Sequence, residues 1–267
     1  MYRITILKIT ITIIFLLFIP IIGSTQIYFP SNYGNTWVLE SEDGAERVTY
    51  VIDTSEETFN GKQLGLLTIT FETIGTETIM TDNLYVDFEE DGIKLYRIEA
   101  DLGPVFGIAH AVFYPPALFY PYTLQIGDTW EVTAETEVKL TGPVSFTTVN
   151  EVVAIEDVVT PAKVFKNCAK IKISSKSTSK LGSSRSTSYQ WLAPNTGPIK
   201  FKNSQDIVYQ LIHSNRLYDV TQDGVINILD LVYVASRFGE ENTEGDLNKD
   251  GIVDILDLVL ISQNFGK

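Results

Sequence analysis

The stretch LLTITFETI at residues 66–74 alternates apolar and polar side chains with a period of two. Leu67, Ile69 and Phe71 fall on one face, whereas the threonines and Glu72 fall on the other. Successive side chains of a β-strand point to opposite faces of the sheet. This pattern therefore predicts a strand with one buried face and one solvated face.

The same period of two extends outward from this stretch, over residues 26–212. LYVDF and IKLYRI, separated by EEDG at residues 89–92, predict a hairpin, and TWEVTAETEVKLT at residues 129–141 alternates cleanly. The Ser/Thr-rich residues 172–188 predict a solvent-facing hairpin that turns at residues 181–183. We therefore predict a mainly β domain over residues 26–212, an antiparallel curved sheet or half-barrel, with a β-sandwich as the alternative.

Two segments of this region resemble each other. FPSNYGNTWVLE begins at Phe29 and YPYTLQIGDTWEVT begins at Tyr120, and each places Gly-Asn/Asp-Thr-Trp before an alternating run. The glycine and the Asn/Asp favour a tight turn, and the tryptophan favours a buried anchor for the next strand. We expect two halves of the sheet, each opened by this turn, with coincidence in a turn-rich chain as the alternative.

Residues 109–122, AHAVFYPPALFYPY, concentrate aromatic side chains among three prolines. When exposed, such a cluster stacks on sugar rings or receives an apolar ligand. When buried, it forms a rigid crossover that closes one end of the sheet. Large exposed apolar patches are rare, so the buried interpretation is favoured.

Composition and charge limit the classes of partner. The formal net charge of −14 and the pI near 4.5 disfavour nucleic acids and anionic lipid surfaces and favour cations. Residues 1–25 carry Arg3 and Lys8 before an apolar stretch, Pro20 and small residues, which predicts a secretory signal peptide. We expect a secreted or cell-surface protein with no transmembrane span after signal cleavage.

The side chains that commonly catalyse reactions form no recognisable site in the sequence. Cys168 alternates with apolar residues, which predicts a small core residue, and His110 and His213 have no acidic neighbour in sequence. A glycosidase needs two carboxylates about 5–10 Å apart, and the candidates Glu72 and Asp87 lie on predicted wet strand faces. The favoured interpretation is a protein without catalytic activity, and the alternative is a hydrolase of glycosidic bonds.

The C-terminal region contains a duplicated acidic segment. DLNKDGIVDILDLV begins at Asp246, and a near copy, DVTQDGVINILDLV, begins 27 residues earlier at Asp219. Oxygen ligands at alternate positions and a glycine turn at position six let short side chains converge on one hard cation, and calcium fits best. The predicted ligands of two calcium ions are Asp219, Thr221, Asp223, Val225 (carbonyl), Asn227 and Asp230 in the first loop, and Asp246, Asn248, Asp250, Ile252 (carbonyl), Asp254 and Asp257 in the second.

Two resemblances follow from these motifs. The duplicated loops, with aspartate at position twelve and a helix only after each loop, resemble a type I dockerin, an EF-hand-like module, over residues 218–267. The opening turns at Phe29 and Tyr120, with WLAPNTGPIKF at residues 191–201, resemble an uncharacterised β-rich domain of exported bacterial proteins, which implies no activity. The dockerin resemblance implies helices at residues 228–238 and 255–265. The linker at residues 213–217 is short, whereas flexible Pro/Thr/Ser linkers commonly precede dockerins, which favours a module that lies against its own β domain.

The dockerin resemblance also implies a partner, which is a cohesin-like domain or another surface protein. Its recognition positions fall here on Ile228, Leu229, Ala235 and Ser236 and on the repeat-related Ile255, Leu256, Ser262 and Gln263. Dockerins commonly accompany polysaccharide-degrading hydrolases, so the alternative function is a glycoside hydrolase or carbohydrate-binding component of polysaccharide catabolism. A third hypothesis is a curved sheet that binds a lipid or a peptide.

Overall fold

The computed structural model describes residues 26–241 and 244–267, so the predicted signal peptide lies outside the described residues. The strands are β1 (Thr36–Ser41), β2 (Glu46–Phe59), β3 (Lys62–Thr73), β4 (Ile79–Glu89), β5 (Gly92–Asp101), β6 (Ile108–Pro121), β7 (Thr129–Val138), β8 (Gly142–Val159), β9 (Val164–Ser179), β10 (Gly182–Ala193), β11 (Gly197–Lys202) and β12 (Val208–Ser214). The helices are α1 (Gly103–Phe106), a 3-10 helix (Asn215–Tyr218), α2 (Ile228–Ala235) and α3 (Ile255–Ser262). Each helix in this described part is too short or too polar to cross a bilayer.

All twelve strands form one antiparallel sheet with the order β6-β5-β4-β3-β2-β1-β12-β11-β10-β9-β8-β7. The first six strands make one meander and the last six make a second, and the two meet where β1 pairs with β12. The predicted antiparallel β domain is confirmed. It takes the form of one continuous sheet, rather than the two packed sheets of the alternative sandwich.

The two edge strands of this sheet lie side by side. The hydroxyl of Thr136 on β7 donates to the carbonyl of His110 on β6 at 2.7 Å. The indole of Trp130 on β7 donates to the carbonyl of Phe119 on β6 at 2.8 Å. The sheet is therefore strongly curved, and its inner side is filled by buried apolar side chains that include Trp37, Ile52, Leu95, Ile171 and Leu211.

The repeated turn opens both halves of the sheet, as predicted. The amide of Gly34 donates to the carbonyl of Ile52 at 2.7 Å, and the amide of Gly127 donates to the carbonyl of Val152 at 2.8 Å. In return, the amide of Ile52 donates to the carbonyl of Asn35 at 3.0 Å, and the amide of Val152 donates to the carbonyl of Asp128 at 2.9 Å. Both glycines have a positive φ, 84° and 93°, which only glycine adopts without strain.

Each tryptophan that follows this turn connects the two halves. Trp37 is fully buried in the first half, and its indole donates to the carbonyl of Thr196 in the second half at 2.5 Å. Trp130 belongs to the second half and donates to Phe119 in the first. Because a buried indole N–H needs an acceptor, these two bonds fix how the halves pack against each other.

The aromatic segment at residues 109–122 differs from its prediction. It forms the edge strand β6 rather than a crossover. Phe113 and Tyr120 are buried, as expected, but Tyr114 is 86% exposed. Prolines are tolerated here because an edge strand has no hydrogen-bonded neighbour on its outer side.

The predicted boundary at residue 212 and the predicted linker at residues 213–217 need correction. β12 continues to Ser214, which pairs with Trp37, and the next residues form the 3-10 helix. Asn215 is buried, accepts a bond from the amide of Thr36 at 3.0 Å and donates to the carbonyl of Gly34 at 2.8 Å. Residues 213–217 are therefore packed against the β domain, because the Asn215 side chain supplies hydrogen-bond partners to backbone groups of the opening turn.

The two C-terminal helices are shorter than the predicted residues 228–238 and 255–265. α2 ends at Ala235 and α3 ends at Ser262, and a turn follows each helix. Gly239 and Gly266 follow these turns with φ of 85° and 81°. Helices commonly end shortly before a glycine in the left-handed conformation. Because the sequence repeat places such a glycine after each helix, α2 and α3 end at equivalent positions.

Candidate metal centre

The first acidic loop is closed by hydrogen bonds from its own backbone. The carboxylate of Asp219 accepts the amides of Asp223 at 3.2 Å and Gly224 at 3.0 Å. The carboxylate of Asp230 accepts the amide of Thr221 at 2.9 Å and the amide of Asn227 at 2.8 Å. The carboxylates at positions one and twelve are therefore fixed before any ion binds.

The second loop repeats this arrangement 27 residues later. Asp246 accepts the amides of Asp250 at 3.2 Å and Gly251 at 2.9 Å. Asp257 accepts the amides of Asn248 at 3.1 Å and Asp254 at 2.8 Å. The two loops share one backbone conformation, including a positive φ at position four, 57° in the first loop and 61° in the second.

The remaining predicted ligands also lie within the loops. The carboxylate of Asp223 accepts the amide of Val225 at 3.0 Å, and the carbonyl of Val225 accepts the side-chain amide of Asn227 at 3.0 Å. In the second loop, Asp250 accepts the amide of Ile252 at 3.1 Å. Asn227 and Asp254 serve additionally as N-caps of α2 and α3, so the same side chains close the loops and start the helices.

Backbone pairing joins the two halves of the C-terminal module. Ile226 of the first loop exchanges hydrogen bonds with Gly266 and Lys267 after α3, at 2.9 and 3.2 Å. Val253 of the second loop exchanges bonds with Gly239 and residue 240 after α2, at 2.8 and 2.9 Å. The core of the module is correspondingly symmetric and consists of the fully buried Ile226, Val234, Val253 and Ile261.

The donor groups of the first loop fit a hard cation. One carboxylate oxygen from each of Asp219, Asp223 and Asp230 lies within 4.8 Å of the others, and the side-chain ligands are all oxygens. Calcium selects such oxygen ligands, with carboxylates supplying the charge. Asp246, Asp250 and Asp257 do not form an equally close group in the described chain. The structure thus brings together three of the predicted ligands of the first loop, Asp219, Asp223 and Asp230.

A buried arginine adjoins the first loop, and sequence analysis missed it. The guanidinium of Arg216 donates to the carboxylate of Asp219, to the carbonyl of Lys267 at 3.0 Å and to the carbonyl of Asn195 at 3.4 Å. Burial raises the pKa of the Asp219 carboxyl group, and the charge of Arg216 opposes that rise. Arg216 therefore joins the first loop, the end of the chain and the turn between β10 and β11.

Further polar contacts hold the module against the β domain. The side-chain amide of Asn195 donates to the carbonyl of Gln222 in the first loop at 3.0 Å. The ammonium of Lys249 in the second loop donates to the carbonyl of Ala162 at 2.8 Å. Between the two parts lies a cavity of about 790 Å³, lined in part by Lys163, Phe165 and Tyr218.

The predicted partner-contacting positions are on the surface of the module. Ile228, Leu229, Ile255 and Leu256 are 58, 56, 58 and 53% exposed. The other positions, Ala235, Ser236, Ser262 and Gln263, are exposed as well. Exposed Val232 on α2 and Val259 on α3 extend each apolar pair along its helix.

The candidate catalytic carboxylates of the β domain do not form a pair. Glu72 pairs with Ile79 at one end of β4, whereas Asp87 lies eight residues farther along that strand, about 26 Å away at a strand rise of about 3.3 Å per residue. Asp87 is buried and ion-paired with Lys62, in contrast to the predicted wet position. Cys168 is fully buried, as predicted, and burial raises the pKa of its thiol to about 12.

Comparison with known proteins gives distant matches. No protein-family model and no curated protein matches the chain. Two similar solved structures are a candidate lipoprotein of Parabacteroides distasonis and a candidate exported protein of Bacteroides fragilis with a YmcC-like fold. Both are 16% identical and cover 71% of this chain, and the match covers 98% and 99% of theirs, with TM-scores of 0.43 and 0.42.

Proposed function

We propose that the chain is an exported protein whose C-terminal module, residues 218–267, binds two calcium ions and docks to a protein partner. The observation that carries this proposal is the repetition of one hydrogen-bond set in two acidic loops, each followed by a helix with exposed apolar residues. The signal-like residues 1–25 support export.

Calcium contributes to the folding of this module. Without a cation, the carboxylates of Asp219, Asp223 and Asp230 repel one another at close range. The small core of the module does little to offset that repulsion, because modules of about 50 residues bury too little apolar surface. A bound cation therefore stabilises the loops, and folding is linked to metal binding.

The docking surface consists of two equivalent apolar stripes. The first stripe contains Ile228, Leu229 and Val232 of α2, and the second contains Ile255, Leu256 and Val259 of α3. Exposed apolar residues that lie in a continuous row mark interaction sites more often than scattered ones do. The internal repeat places the same chemistry on both stripes, so a cohesin-like partner binds either one.

A binding assay with purified type I cohesin domains tests the docking. The full mature chain is compared with Ile228→Ser/Leu229→Ser, Ile255→Ser/Leu256→Ser and the quadruple variant, with calcium and with chelator. Binding is calcium-dependent, survives either double change and is lost in the quadruple variant. Leu140→Ser/Leu181→Ser, two exposed residues of β-domain turns, is the matched control and binds normally.

Three outcomes contradict the docking proposal. Binding that persists in chelator removes the calcium dependence. Loss of binding from one double variant alone shows that the stripes are not interchangeable. If no cohesin domain binds while calcium titrates two sites, the cohesin partner is rejected and the calcium function remains.

The β domain acts mainly as the rigid support of the module. Its inner side is lined by its own buried side chains, which include Trp37, Ile52 and Ile171. The candidate carboxylates Glu72 and Asp87 are too far apart for glycoside hydrolysis. These observations favour a binding and structural role over the hydrolase alternative.

A further inference from the structure

The outer face of β9, β10 and β11 carries a group of cations, although the whole chain is strongly acidic. On β9, Lys170, Lys172 and Lys176 alternate with Ala169, Ile171 and Ile173, of which the first two are fully buried and the third is partly buried. On β10, Arg185 pairs directly with Lys176, and on β11, Lys200 pairs directly with Trp191. We call Lys170, Lys172, Lys176, Arg185, Lys200 and Lys202 the basic face.

Four of these cations have no carboxylate partner in the part of the chain that the structure describes. Lys170 is ion-paired with Glu156 at 3.7 Å and Lys202 with Asp206 at 2.6 Å, whereas the other four form no ion pair. Glu151 lies opposite Lys172 on β8 but forms no ion pair with it. Like charges directly opposite each other on neighbouring strands are unfavourable, as for Lys176 and Arg185. The face therefore carries positive charge that the described chain leaves uncompensated.

Aromatic rings hold part of the basic face in place. The ammonium groups of Lys170 and Lys200 each lie 5.0 Å from the ring of Trp191. The indole of Trp191 donates to the carboxylate of Glu156 at 2.6 Å, and Lys170 also lies 5.6 Å from the ring of Tyr189. Cation–π contacts within about 6 Å are attractive, so these lysines are oriented before a ligand arrives.

The remaining side chains of the basic face are small and bear hydroxyl groups. On β9, Ser174 lies between Lys172 and Lys176, and Thr178 follows Lys176. Their direct partners on β10 are Thr187 and Ser183. The cores of protein–protein interfaces are enriched in aromatic residues and depleted in lysine and serine. A sheet face of lysine, serine and threonine is therefore a poor protein-docking surface. It is suited to a hydrated polymer that carries both anionic groups and hydroxyls.

We propose that the basic face binds an extended anionic polysaccharide along β9 and β10. Its carboxylate or ester-sulfate groups pair with Lys172, Lys176 and Arg185, and its hydroxyls bond the serine and threonine side chains. Lys172 and Lys176 are four residues apart, or about 13 Å along the strand, so the ligand spans several sugar units. This site goes beyond the proposed docking function and shares no residue with the C-terminal module.

Affinity electrophoresis of the full mature chain in gels with dissolved polymer tests this site. The probes are polygalacturonate, dextran sulfate and uncharged dextran, with polyglutamate and RNA as anionic polymers of other classes. We expect retardation by polygalacturonate or dextran sulfate, and which of the two retards more tells whether carboxylates or sulfates are preferred. Uncharged dextran does not retard the chain.

The variant Lys176→Gln/Arg185→Gln measures the contribution of the opposed cations. We expect it to weaken binding about tenfold at low salt, because it removes two of the unpaired cations that contact the polymer. Its thermal midpoint is unchanged or raised, because the like-charge pair is gone. The control Lys94→Gln/Arg237→Gln removes one lysine from β5, in the other half of the sheet, and one arginine from the C-terminal module, and it keeps full binding.

Three results overturn the proposal. The first is equal binding by the Lys176→Gln/Arg185→Gln variant and the wild type. The second is an equal loss of binding in the control, which would show that net charge alone is measured. The third is retardation by polyglutamate or RNA as strong as that by the polysaccharides, which would show a general polyanion surface. Failure of calcium binding in the C-terminal module leaves this site unaffected.

Discussion

Arg216 and Asp219 form an ion pair that is almost completely buried, with side-chain exposures of 0 and 2%. Asp219 is the first ligand position of the first loop, whereas Arg216 belongs to the 3-10 helix that leaves the β sheet. The same guanidinium reaches the carbonyls of Asn195 and Lys267. The first acidic loop, the β domain and Lys267 are therefore joined at one side chain.

Replacing Arg216 is expected to destabilise the module more without calcium than with it. Arg216→Leu leaves the Asp219 carboxylate buried without a counter-charge, which costs about 3 kcal/mol. Calcium supplies a counter-charge, so the loss is smaller when the loop is filled. Chemical unfolding in calcium and in chelator measures both values. The control Arg237→Leu, which loses a contact with the Tyr233 ring, changes stability equally in both conditions. An equal cost for Arg216→Leu in both conditions contradicts the account.

The second loop is expected to bind calcium more tightly than the first. The second loop offers four carboxylates and the amide of Asn248, whereas the first offers three carboxylates, one amide and the hydroxyl of Thr221. In addition, Arg216 offsets part of the negative charge of the first loop. Asp250→Ala therefore removes the tighter of two binding phases, and the matched Asp223→Ala removes the weaker one. Thr221→Asp tightens the weaker phase. Calorimetric titration of the three variants checks this order, and a tighter first loop would show that ligand charge does not set the affinity.

The last two residues are expected to be essential for the module. Deleting Gly266 and Lys267 removes the backbone partners of Ile226, one of the two symmetric pairings, and one acceptor of Arg216. Amide hydrogen exchange at Ile226 should then approach the unfolded rate, with loss of about 2–3 kcal/mol from the two unmade bonds. Lys267→Ala keeps the backbone and is the control with normal protection. Normal protection in the deletion variant would show that this pairing contributes nothing.

Gly197, a turn glycine of the β domain, is expected to be sensitive to substitution. Its φ is 99°, and a Cβ atom there would lie 2.9 Å from the ring of Trp37. Gly197→Ala combines backbone strain with overpacking and should cost about 3 kcal/mol. Gly61→Ala has a similar positive φ of 79° but open space around it, so it costs about 1 kcal/mol. Thermal unfolding compares the two, and equal costs would mean that the contact with Trp37 relaxes freely.

Much of the fold is predictable because its strands alternate cleanly. All but the last residue of the pattern at residues 66–74 lies within β3, and the polar residues 172–188 form the end of β9, a turn and the start of β10. The repeated Gly-Asn/Asp-Thr-Trp turn predicts the division into two halves, because its chemistry is local. β6 escaped prediction because its prolines suggest an irregular chain, and only its edge position makes them compatible with a strand.

The repeated conformation of the two acidic loops was also predictable, since the spacing of the acidic residues and the position of the glycine are local features of sequence. The side chains that join the C-terminal module to the β domain were not predictable. Nothing around Arg216 in sequence distinguishes a buried guanidinium from a surface one, and its acceptors at Asn195 and Lys267 are 21 and 51 residues away. The basic face was hidden for the same reason, because its cations come from three strands and are brought together only by strand register.

The number of calcium ions that the mature chain binds tests whether the duplicated loops hold calcium. Calorimetric titration with calcium should give two sites per chain, and the Asp223→Ala/Asp250→Ala variant should give none. Magnesium should bind weakly, because it retains its water ligands in such loops. Absence of heat and of bound calcium at millimolar concentration, or equal binding by the double variant, would contradict calcium binding by these loops.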